Sequence, residues 1–94
     1  MAVVNLNEVK ENYIKIENGL KEAIIEEINR KIQKAVRNHE TMVMYNFNKN
    51  ETSLKQVIQT EYVKAGFKAE IAEHVDRFDH ETVSYSLFVS GWAE

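Results

Sequence analysis

A chain of 94 residues has room for one small core and little stability to spare for a costly active site, so it forms a single domain and a second one is excluded. Its 44% hydrophobic and 29% charged residues and net charge of −3 are those of an ordinary soluble globular chain. No apolar run reaches the ~18 residues that span a bilayer, and the absence of cysteine removes disulfides and thiolate metal sites. The stretch Met1–Glu8 has no basic region followed by an apolar core, so no secretory leader is expected and the chain is assigned to the cytoplasm.

The first third carries Leu6, Val9, Tyr13, Ile16, Leu20, Ile24, Ile28, Ile32 and Val36 at steps of three and four, a repeat that gathers side chains on one helical face. Asn5 with Glu8 three residues later predicts the start, the amide capping free N–H groups while the carboxylate reaches back. The end falls near Asn38 or His39, where an imidazole suits the negative pole of a helix. Uninterrupted, such a helix is about 50 Å long, against a diameter of roughly 32 Å for a compact domain of this size. Either Asn18-Gly19 divides it into two helices, glycine being suited to a left-handed C-terminal position, or one long helix projects and packs on another copy. The stripe keeps its phase across Gly19, which favours the unbroken helix, with Ile24 and Ile28 at a homo-oligomer surface.

Thr41–Phe47 is short, apolar and partly β-branched or aromatic, with Val43, Tyr45 and Phe47 on one side, and reads as a buried strand. The polar run Asn48–Ser53 closes it, and Ser53 with Gln56 at capping-box spacing opens a second helix whose inner face is Leu54, Val57, Ile58, Tyr62 and Ala65. Gly66 suits the left-handed helix end, with Phe67 packing back. Phe67, Ala69 and Ile71 then alternate with Lys68 and Glu70 as a strand with one dry face, and a turn lies between His74 and His80. In the last strand Val83, Tyr85, Leu87 and Val89 are expected in the core. Ser84, Ser86, Phe88, Ser90 and, beyond Gly91, Trp92 are expected on the other face. The whole is an α+β chain of order α-β-α-β-β, with a small three-stranded sheet that ends in a hairpin.

Charge is uneven: residues 67–94 hold two basic against six acidic side chains, and this last segment makes the chain net negative. Sparse cations argue against nucleic acid as a partner, because phosphate binding needs them clustered. The acidic hairpin, with Glu70, Glu73, Asp76, Arg77 and Asp79, is instead a candidate docking surface, and Phe88 with Trp92 a candidate aromatic contact. His74, Asp76, Asp79, His80 and Glu81 bring together nitrogen and oxygen donors, but their spacing matches no metal motif, and solvated turn residues account for them. The isolated glycines form no phosphate loop, and the serines lack a nucleophile-elbow pattern. No cofactor, metal or catalytic residue is therefore assigned.

A leading amphipathic helix, a short strand, a helix closed by Ala65-Gly66-Phe67-Lys68 and a last strand ending Ser90-Gly91-Trp92 resemble the small accessory and early proteins of tailed bacteriophages, best over residues 54–92. The resemblance implies a non-enzymatic protein that binds a bacterial host or defence protein stoichiometrically and blocks it. Two other readings stand beside it. One is a sponge for a small nucleotide held between protomers, with Lys68, Arg77 and His80 on phosphate and Phe88 or Trp92 stacked on the base. The other is a structural subunit assembling through its helices.

Overall fold

The computed structural model of the chain describes residues 3–75 and 82–93, with Thr82 and Val83 described in their backbone alone. Helix α1 spans Leu6–Arg37 without a break. Strand β1 (Met42–Phe47) follows, then a short 3₁₀ helix (Lys49–Leu54), helix α2 (Lys55–Lys64) and strands β2 (Lys68–Val75) and β3 (Thr82–Ser90). This is the expected α-β-α-β-β chain. The sheet order is β1-β3-β2, and β3 is antiparallel to both neighbours. The outer strands β1 and β2 therefore run parallel to each other, with α2 connecting them and β3 inserted between.

Each helix end has a local cause. Asn5 Oδ1 accepts from Asn7 N at 2.8 Å to start α1. At its other end Asn38 is the last half-helical residue and His39 turns left-handed, with φ 61°. Glu40 N donates to Ala35 O and His39 N to Val36 O, a Schellman closure. Helix α2 closes the same way on Gly66, with φ 97°, as Phe67 N donates to Tyr62 O and the Phe67 ring packs edge-on to Tyr62 at 5.8 Å. The two closures share a geometry, but only the second has the residue without a Cβ penalty. His39→Gly should accordingly raise the denaturation midpoint, by about 0.5–1 kcal/mol of stability; a lowered midpoint would mean that the imidazole contributes more than the backbone conformation costs.

The start of α2 departs from expectation. Ser53 caps nothing; the capping interaction lies one element earlier, where the Glu51 carboxylate accepts from Asn48 N at 2.9 Å and the chain enters the 3₁₀ helix. Glu51 is buried, and the Tyr45 hydroxyl donates to both of its oxygens at 3.0 and 3.1 Å. These donors satisfy the oxygens of the buried carboxyl group.

The core lies between the helices and one face of the sheet. It joins Ile24 and Ile28 of α1, Leu54, Ile58 and Tyr62 of the 3₁₀ helix and α2, Tyr45 and Phe47 of β1, Ala69 of β2, and Leu87 and Val89 of β3. Phe67, Ile71 and Tyr85, expected in the core, are half-buried against it; Val57 and Ala65, expected on the inner face of α2, are exposed. The Val83 side chain lies outside the described residues. The Tyr62 hydroxyl donates to Ile25 O at 3.1 Å and lies 2.8 Å from Asn29 Oδ1, which ties α2 to α1. The sheet edges are partly covered as well, since Lys31 Nζ donates to Met44 O and Gln59 Nε2 to Ala69 O.

Both buried tyrosines resist ionisation. Burial pushes Tyr62 up to about 12, and burial, followed by the hydrogen bond and negative charge of Glu51, raises Tyr45 further. A raised folded-state pKa contributes stability that is complete below the unfolded value of about 10 and is lost as pH rises through the folded value. Stability should thus fall between about pH 10 and 12, and Tyr62→Phe should flatten that decline in denaturation midpoints taken across the alkaline range. An unchanged slope in the variant would show that other groups govern it.

Candidate interaction surface

Among the described residues, two surfaces have no covering element, and they arise from different causes. The first is the outer half of α1. Packing against the sheet begins at Leu20 and Ile24, so the preceding turns extend beyond the sheet, and the molecule measures 58 × 36 × 20 Å. Leu6, Tyr13 and Ile16 are 65%, 62% and 65% exposed, and Val9 and Ile14 are exposed beside them. The length mismatch read from the sequence is thus resolved by projection, and Gly19 lies within the helix, with open space where a Cβ would stand.

The second is the face of the sheet turned away from the helices. Cross-strand partners share a face, so the register places Met44, Phe88 and Glu70 in one row across the three strands, Asn46, Ser86 and Ala72 in the next, and Met42, Ser90 and Lys68 beyond. Met42 and Met44 are exposed and Phe88 is half-buried.

Several expected site residues are redistributed. Ile24 and Ile28 are 2% and 0% exposed in the chain's own core, so they offer nothing to a second copy. Glu73 pairs with Tyr85 on the helix side of the sheet, whereas Glu70 is on the open side; the two carboxylates do not form one acidic surface. Asp76, Arg77, Asp79, His80 and Glu81 lie outside the described residues. Trp92 is not beside Phe88: Gly91, with φ 113°, breaks the alternation, and Trp92 packs edge-on to Phe67 at 6.4 Å while its Nε1 donates to Glu40 O at 3.0 Å. The aromatic pair proposed for stacking or association is therefore split between the two sides of the sheet. No Cβ fits easily at Gly91, since it would stand 3.2 Å from Lys68 N.

One polar cluster was not foreseen. Ser86, expected at the surface, is 0% exposed, because Asn46 from β1 and His74 from β2 close over it. Its hydroxyl donates to Asn46 Oδ1 at 2.5 Å and lies 2.8 Å from His74 Nε2. The hydroxyl is thus held between an amide from β1 and an imidazole from β2. The cluster links three strands and satisfies a buried hydroxyl. Register alone would have revealed it, since Asn46 and Ser86 become partners only once β3 is known to lie between the other strands.

Among the described residues no group of three or more potential metal ligands converges, and no helix is long and apolar enough to cross a membrane. Tyr45 and Tyr62, whose pKa values are raised, both belong to the core, where burial and, for Tyr45, the neighbouring Glu51 account for the shifts. A groove of about 400 Å³ between Ile32, Gln33, Val36 and Arg37 is lined by α1 alone and is open to solvent. Comparison of the chain with protein-family models, with curated proteins and with solved structures finds no match.

Proposed function

We propose that this chain is a non-enzymatic binding protein that acts by stoichiometric occlusion of a protein partner, with the open face of the sheet as the contact surface. The observation that carries the reading is the one-sided sheet, where both helices lie on one face and Met42, Met44 and Phe88 occupy the other. A β surface with flexible thioethers and an aromatic ring suits adaptable protein contact. The flanking Glu70 and Lys68 supply a polar rim. The resemblance of residues 54–92 to accessory proteins of tailed phages supports a bacterial host or defence protein as the partner.

A photo-crosslinking amino acid placed at Met44 tests this in bacterial cells, with the same group at exposed Gln33 on α1 as the reference. The reading expects a discrete adduct from position 44, with a mass that fits one foreign chain, lost when Met42 and Phe88 are replaced by lysine and serine. Equal labelling from positions 44 and 33 would reject it.

A further inference from the structure

The projecting half of α1 differs from the docked half in the period of its apolar residues. Leu6, Val9, Tyr13, Ile16 and Leu20 follow steps of three, four, three and four, a heptad seam with a mean period of 3.5, whereas from Leu20 to Ile32 the steps are all four. The seam thus ends where α1 meets its own sheet. A heptad stripe packs into another helix, and among the described residues this one has only the short 3₁₀ helix near it, across an open crevice.

The charges flanking the seam select the partner. On one flank the residues nearest the seam are Lys10 and Glu17; on the other they are Asn12 and Gly19. In a parallel pair each flank faces the opposite flank, so Lys10 and Glu17 would meet only uncharged side chains. In an antiparallel pair each flank faces itself, and Lys10 of one chain comes opposite Glu17 of the other, twice by two-fold symmetry. Asn12 then faces Gly19, which lets the helices approach. Among the described residues, Lys10 and Glu17 have no ion-pair partner in their own chain.

We infer that two copies of this chain pair antiparallel through residues 6–20 of α1, with Tyr13 layered on Ile16 of the other copy and Val9 on Leu20. The domain has a place for the incoming helix. A crevice of about 260 Å³ opens between Tyr13, Ile16 and Leu20 of α1 and Asn50, Ser53 and Leu54 of the 3₁₀ helix. It continues the seam onto the body of the domain, where Val9 and Tyr13 of the second chain arrive. The domains lie at opposite ends of the pair, and the open sheet faces stay uncovered in both copies.

Sedimentation velocity across a concentration series, with circular dichroism as the check on folding, tests the pairing and its direction. The unmodified chain is expected to dimerise by tens of micromolar. Ile16→Glu, at an exposed site, should remain folded and become monomeric. Lys10→Glu and Glu17→Lys should each weaken the dimer by about tenfold, as two attractive contacts become repulsive, and the double reversal should restore it. A monomeric unmodified chain, a dimer indifferent to Ile16→Glu, or single reversals without effect would each overturn the proposal.

Discussion

Ile28→Glu should abolish folding, while Ile16→Glu, on the same helix and the same apolar stripe, should leave the domain intact. Ile28 is fully buried in the apolar core that it shares with Ile24, Ile58 and Leu87, where a carboxylate would lose its solvation. The cost of burying an unpaired charge exceeds several kcal/mol, comparable with the ~5–15 kcal/mol that holds a domain together. Ile16 stands in solvent in the single chain, so the same substitution is there a surface change. Far-ultraviolet circular dichroism and denaturant titration separate the cases. If Ile28→Glu folds normally, α1 is not docked on the sheet as described.

The second large effect is expected at the centre of the sheet. Leu87 lies on β3, between Tyr45 of β1 and Ile71 of β2, and is 0% exposed. Truncation to alanine removes apolar contacts on both sides and leaves a cavity that paired strands cannot easily close, so Leu87→Ala should cost about 2–5 kcal/mol. The denaturation midpoint should fall sharply with an unchanged slope on denaturant. A neutral result would place Leu87 on the open face and invert the phase of β3.

The two expectations bear on how far the sequence could be read. Local signals were sufficient for the elements: Gly66 and Phe67 predict the closure of α2, and alternation from Tyr85 to Val89 predicts the face of β3 that is buried. They were insufficient where a residue's surroundings depend on a distant segment. Ser86 reads as solvated until Asn46, 40 positions earlier, is placed beside it by the strand order. Trp92 follows the alternation on paper, but the positive φ of Gly91 turns it to the other side. Glu51 looks like part of a polar loop, yet Tyr45 and the Asn48 amide give it a buried site.

The stripe of α1 was legible as a whole and ambiguous in its parts. Its phase is continuous across Gly19, which gives one helix, and its length exceeds the domain, which gives projection. Which turns project follows from where β1 and α2 find room to pack, and that depends on the sheet. Hence Ile24 and Ile28, expected at an interface between copies, belong to the core, and the residues available to a second copy are the earlier ones. The finer signal, the change from alternating steps of three and four to uniform steps of four at Leu20, was in the sequence throughout.

Helix α1 has two halves, one held by its own domain and one that the proposed pairing places against a second chain. Amide hydrogen exchange at low micromolar and near-millimolar concentration tests it residue by residue. Amides from Ile24 to Val36 should show the same protection at both concentrations, whereas those from Val9 to Asn18 should gain protection only in the concentrated sample. Protection of residues 9–18 that is strong and independent of concentration would contradict the account, because that half of the helix would then be held within its own chain.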